Sequence, residues 1–181
     1  ETPLLEDTTP DGTGSEPDDP SIIRLDGILP GDRGTVSFSL TADRMNTDVD
    51  DTVLPTLGID ITDRAENGLT DPEEEAGDTT EDVGELQEYL QVTIWENTGI
   101  LGFDALGADN LTQDLGEPTI AEGTFADVAS SLDNEVLGDI DATADDDSVS
   151  VTLRWEFTDD PDINETQTDS VTFDLDIDCQ Q

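Results

Sequence analysis

Three features of the 181-residue sequence predict an antiparallel β-sandwich with one short helix in a connection. Apolar residues recur at every second position in several short runs, which is the period of a half-buried strand. Gly, Pro, Asn and Asp punctuate the chain between those runs, as turns require. The connections also hold too little helix-period sequence to build the crossovers of a parallel sheet.

Residues 1–20 (ETPLLEDTTPDGTGSEPDDP) contain four prolines, two glycines and seven acids, and read as an extended tail and linker. Residues 21–181 are then the folded domain. Within the tail, Pro3-Leu4-Leu5 is a small apolar patch with no partner nearby in sequence. Residues 22–25 (IIRL) are the first strand candidate, ended by the turn Leu29-Pro30-Gly31-Asp32. Residues 35–40 (TVSFSL) alternate strictly and put Val36, Phe38 and Leu40 on one face. Residues 53–61 (VLPTLGIDI) read as a strand interrupted at Pro55 and Gly58. Residues 62–85 are too polar and too Gly/Pro-punctuated for core, and a structureless excursion of that length is uncommon and often functional or ligand-ordered.

The second half is plainer. Residues 89–95 (YLQVTIW) are a strand with Leu90, Val92 and Ile94 on one face. A Gly- and Asp-rich loop over 97–116 follows. Thr124-Phe125-Ala126-Asp127 then reads as a capping box opening a short amphipathic helix through Leu132, which buries Phe125, Val128 and Leu132. Two strands close the chain: residues 149–157 (VSVTLRWEF) and 171–177 (VTFDLDI), each alternating apolar with polar. Cys179 stands alone, which excludes an intramolecular disulfide; at the end of a strand it reads as a small apolar residue.

Charge bounds the setting. The chain has 48 acidic residues and 5 basic ones, all arginine, for a formal net charge of −43. Such a surface repels itself at ordinary ionic strength and so opposes compaction. In molar salt the Debye length falls to about 3 Å and most of that repulsion vanishes. A carboxylate shell without lysine therefore reads as adaptation to near-saturated brine. Nucleic acid and anionic membranes are excluded as direct electrostatic partners.

Histidine is absent, which removes the commonest general base, the commonest zinc ligand and every Ser-His-Asp or Cys-His arrangement. Glycine-rich phosphate loops are missing as well. No catalytic residue is expected, and the chain does not read as an enzyme. Cation binding has more support, because acids cluster at Asp71, Glu73-Glu74-Glu75 and Asp78, at Asp145-Asp146-Asp147, and at Asp159, Asp160 and Asp162 before Asn164. Calcium (Ca2+) suits such oxygen ligands, yet no cluster has the glycine and terminal glutamate spacing of an EF-hand. Solvated halophilic loops are the plainer reading of each; Asp71, Glu73, Asp78, Asp160 and Asp162 are the metal candidates.

Two sequons, Asn110-Leu111-Thr112 and Asn164-Glu165-Thr166, lie among turn residues where a glycan would be tolerated. No apolar stretch approaches the roughly 20 residues of a membrane span. The sequence opens at Glu1 without a signal-peptide pattern, so the expectation is either cytoplasmic residence or a signal already removed. The sequons favour export.

Several segments in order resemble the haloarchaeal branch of the TasA/camelysin family of secreted fibre proteins. They are Leu25-Asp26-Gly27-Ile28-Leu29-Pro30-Gly31-Asp32 with the strand that follows, Glu66-Asn67-Gly68-Leu69-Thr70-Asp71-Pro72-Glu73 through Asp78, and Gly84-Glu85-Leu86 leading into Val92-Thr93-Ile94-Trp95. Gly116-Glu117, Ile120 and Gly123-Thr124-Phe125-Ala126-Asp127-Val128 resemble its helix entry, and Asn164 through Asp174 its closing strand. The similarity runs from about residue 22 to Gln180.

This resemblance implies a jelly-roll-like sandwich, export by the Sec route with removal of a SipW-type signal, and assembly into extracellular filaments. Subunits of that family join by donor-strand exchange, which here assigns the donor to Thr2, Pro3, Leu4, Leu5 and Glu6. Camelysin is classed as a metallopeptidase, but a chain without histidine lacks the usual zinc site and that activity is not carried over. Relatives also often hold a second cysteine near the second strand, where Leu57-Gly58-Ile59-Asp60 has none.

The expected function is thus a structural subunit of a halophile's pilus or biofilm-matrix fibre, a head-to-tail homopolymer glycosylated at Asn110 or Asn164. Filaments of this kind are also expected to bundle with one another. The alternative is a monomeric cell-surface module for cation binding or adhesion. Size in high salt separates them.

Overall fold

The computed structural model describes residues 21–41, 52–66, 68–77, 79–80, 83–98, 113, 116–141, 148–158, 166 and 168–180. The tail over 1–20, both sequon asparagines, and Asp78, Asp160 and Asp162 lie outside the described residues.

In chain order the elements are β1 (Ser21–Asp26), β2 (Arg33–Thr41), β3 (Thr52–Ala65), α1 (Asp71–Ala76), α2 (Leu86–Tyr89), β4 (Leu90–Glu96), β5 (Thr119–Thr124), α3 (Phe125–Ser131), β6 (Glu135–Val136), β7 (Ile140–Asp141), β8 (Ser148–Phe157) and β9 (Ser170–Gln180). They form two antiparallel sheets, one ordered β1-β9-β3-β6 with β7 also on β3, the other ordered β2-β8-β4-β5. The sandwich follows from the alternation. Val149, Val151, Leu153, Trp155 and Phe157 of β8 and Val171, Phe173 and Leu175 of β9 all enter one core. Their polar neighbours in sequence point away from it.

The two sides of the sandwich differ. On one side, α3 links β5 to β6 and packs against β3, β4 and β5. Its first residue, Phe125, is 1% exposed and meets Phe173 edge-on at 4.7 Å between ring centroids. Thr124 caps the helix as expected, its hydroxyl accepting the Asp127 N–H at 3.1 Å. On the other side, a short connection over 27–32 carries the chain from β1 to β2, so the two sheets end there in two edge strands. Among the described residues β1 pairs only with β9, and β2 only with β8. Gly34 of β2 permits a close approach, since a Cβ there would lie 2.7 Å from the Trp155 indole.

Three sequence expectations are corrected. β3 does not break at Pro55 and Gly58 but runs unbroken for 14 residues. Pro55 stands opposite Cys179, and its carbonyl accepts the Leu137 N–H at 2.9 Å. Because the N–H and C=O of one strand residue point to the same side, the donor that proline lacks faces away from β9. The ladder with β9 therefore loses nothing. Second, residues 62–85 are not a structureless excursion: β3 continues to Ala65 past a register shift at Ile61/Asp63, and α1 follows. Polar Thr62, Asp63 and Arg64 are exposed there, so a strand can hold them without burying charge. Third, α1 and α2 join α3, so the fold has more than one short helix, and Tyr89 ends α2 where a strand was expected to begin.

Candidate functional site

Three carboxylates converge where β3 ends, α1 begins its course and β9 starts. One ligand oxygen from each of Glu66, Glu73 and Asp169 lies within 4.8 Å of the other two. Each arrives by its own local logic. Glu66 is the residue after β3. Glu73 is the third residue of α1, whose Thr70 N-cap, Pro72 in the first turn and left-handed Gly77 at the C-cap give a short helix well-defined ends. The Thr70 N–H donates to Glu73 Oε2, which turns the side chain back under the helix. Asp169 follows Thr168, a β-branched residue held at φ +75°, in the left-handed region it normally avoids.

Glu73 and Asp169 are 0% and 2% exposed. Asp169 Oδ2 accepts the backbone N–H of Glu85 at 2.7 Å and of Leu86 at 3.2 Å, both at the entry of α2. Gly84 makes that approach feasible, because a Cβ at this position would sit 2.7 Å from Asp169 Cγ. Each buried acid thus has one oxygen anchored on backbone N–H. The other oxygen, Glu73 Oε1 or Asp169 Oδ1, is buried with no N–H or hydroxyl donor facing it, so Asp169 and Glu66 can hydrogen-bond only when one of the two carboxyls is protonated. Burial is the main reason that the Asp169 pKa is pushed up to about 8; the Glu85 backbone N–H opposes the rise, while Glu66 raises it further by hydrogen bond and charge, and Glu85 by charge. The charged side chains acting on Asp169 are therefore of its own sign. Such a cluster can do one of two things chemically: share protons among its oxygens, or enclose a cation.

The second feature is the edge of β2 that has no partner strand among the described residues. Its inward-facing Val36, Phe38 and Leu40 are half-buried, whereas Val149, Val151 and Leu153 opposite them on β8 are buried. Ile23, on the matching edge strand β1, is half-buried too.

Of the metal candidates read from sequence, Glu73 joins the cluster, while Asp71 lies exposed on the first turn of α1 and takes no part. Asp78, Asp160 and Asp162 fall outside the described residues. Glu66 and Asp169 escaped sequence reasoning, being single acids far apart in a chain crowded with acids. The one available signal was positional: each flanks the end of an alternating strand. Cys179 sits at the end of β9 as expected, but exposed instead of packed.

Together these features define an acidic antiparallel β-sandwich protein with a buried carboxylate cluster and a sheet edge that is unpaired among the described residues. No helix among the described residues is long and apolar enough to cross a membrane. Compared with protein-family models, with curated proteins and with solved structures, the chain matches none.

Proposed function

We propose that this chain is the structural subunit of an extracellular filament, a pilus or biofilm-matrix fibre of a halophilic archaeon, with a jelly-roll-like sandwich as its body. The observation that carries this reading is the edge strand β2, nine residues long and paired on one side only among the described residues. A long unpaired edge with half-buried apolar residues invites another strand. Strand addition would cover Val36, Phe38 and Leu40 and extend the β2-β8-β4-β5 sheet, with backbone hydrogen bonds supplying affinity and side-chain pockets fixing register. The segment Thr2–Glu6, carrying Leu4 and Leu5 on an acidic linker, has the length and apolar content for that role. Pro3 would sit at the start of the added strand or face away from the ladder. If each tail enters the next subunit, the contact is head-to-tail and grows a fibre instead of closing a dimer. Glycans at Asn110 and Asn164 and bundling between fibres belong to the same reading.

Deleting residues 1–9 tests it. In molar salt the full chain should form filaments by electron microscopy, and the truncated chain should remain a soluble monomer close to the 19.4 kDa of the full subunit. A peptide of residues 1–9 should then bind the truncated monomer. Normal filaments from the truncation would refute the donor mechanism. A second reading, a monomeric cell-surface cation-binding or adhesion module, is favoured by the carboxylate cluster alone; a full chain that stays monomeric in molar salt would select it.

A further inference from the structure

We propose that Glu66, Glu73 and Asp169 bind one hard divalent cation, calcium by preference, which clamps the end of β3, helix α1 and the start of β9 to one another. The argument rests on burial and unmet bonding capacity, because acids as such are everywhere in this chain. Glu73 is fully buried and Asp169 nearly so. Each has one oxygen fixed by backbone N–H groups. Each has its other oxygen, Oε1 and Oδ1, shut away from water without a donor. An orphaned buried carboxylate oxygen is costly, and buried charges as a rule are paired or coordinate metals.

The spacing fits an ion. Oxygens on opposite sides of a calcium at 2.3–2.6 Å stand about 4.6–5.2 Å apart. The three ligand oxygens, all within 4.8 Å of one another, can therefore share one centre. Three carboxylates against a double positive charge leave about one negative charge, and backbone carbonyls or water complete the six to eight ligands that calcium takes. Magnesium sheds its water reluctantly, and a site with two buried ligands disfavours it. The backbone bonds preorganise the ligands: the Thr70 N–H sets Glu73, and the Glu85 and Leu86 N–H groups set Asp169. This inference is independent of filament assembly, since the cluster lies within one subunit.

The test uses the full chain, stripped with a chelator and dialysed into molar NaCl so that diffuse screening is already saturated. Calcium chloride is titrated in by calorimetry, and thermal unfolding is followed at each concentration. One site per chain is expected. The unfolding midpoint should rise by about 5–10 °C when calcium is about a hundredfold above Kd. Removing a second-shell partner already costs metal sites about 10–100-fold in affinity, so Glu73→Gln and Asp169→Asn should each lose more than about a hundredfold. Both replacements keep an oxygen for the backbone N–H bonds. In chelator they should be at least as stable as the parent, an effect opposite to that of simply damaging the fold. Glu74→Gln and Glu75→Gln, exposed on the same helix, should bind calcium as the parent does.

No midpoint shift, or many weak sites equally affected by the Glu74 and Glu75 replacements, would overturn the proposal. An equal response to magnesium chloride would overturn the calcium assignment. Should Glu73→Gln fail to fold, Asp169→Asn and the stoichiometry of the parent chain still decide the matter.

Discussion

The acids along and just before β9 stand in two settings. Asp169, immediately before the strand, is buried against Glu66 and anchored by backbone N–H groups. Asp174, Asp176 and Asp178 line the outward face of the strand, and Asp60 of β3 stands directly opposite Asp174. Burial is the first cause of a raised carboxyl pKa at one residue of each setting, Asp169 inside and Asp174 outside. Asp169 reaches about 8, and Asp174, with Asp60 beside it, also moves upward. The remedies differ. Mobile salt ions can screen the outer row, because water and ions reach it. They cannot reach the cluster, where only a proton or a tightly held cation relieves the repulsion. One functional group on one stretch of chain thus answers to ionic strength in one place and to pH and specific ions in the other.

Removing salt breaks the balance on the outside and should have the largest effect. A pair of exposed like charges about 5 Å apart costs about 0.8 kcal/mol in unscreened water. With a net charge of −43, many such pairs sum to several kcal/mol, comparable to the roughly 5–15 kcal/mol stability of a typical domain. Dialysis into millimolar buffer without divalent ions should therefore abolish cooperative unfolding monitored by circular dichroism, and should loosen any filament. A fold and fibre that persist there would show that screening is not what the carboxylate shell requires.

The next effect isolates the interior. In chelator, the folded protein retains a proton on Asp169 up to about pH 8, whereas the unfolded chain releases it near the ordinary aspartate value of 3.8. Over that window the native state binds more protons, so stability falls as pH rises, by up to about 1.4 kcal/mol per pH unit, and levels off above it. Bound calcium should flatten the slope, because the folded carboxylate is then already ionised. Asp169→Asn should remove the same slope; denaturant titrations between pH 5 and 8, as about the accessible range, would show whether it does. An identical slope in that variant would assign the dependence to the outer acids.

The smallest effect returns to the outer face. Asp60→Asn removes a like charge directly opposite Asp174, and cross-strand pairs of this kind are worth about 0.2–1 kcal/mol. A gain of that size is expected at low salt, vanishing in molar salt. A gain that survives molar salt would mean that burial of Asp174, not repulsion by Asp60, governs this pair.

Sequence alone determined the alternating strands, the inward set Val149 to Phe157, the cap at Thr124 and the burial of Phe125 and Val128. These depend on local period and on short-range hydrogen bonding, which a chain reveals within a few residues. It also determined the net charge from which dependence on salt is expected, since net charge is a sum over composition. Sequence did not show that β3 passes through Pro55, because a missing N–H matters only when its direction relative to β9 is known. Nor did it show the cluster: Glu66, Glu73 and Asp169 are set apart from 45 other acids not by residue type but by what covers them and where their second oxygens point. Burial and convergence are properties of the packed sheets, and only the tertiary structure brings residues 66, 73 and 169 to one point.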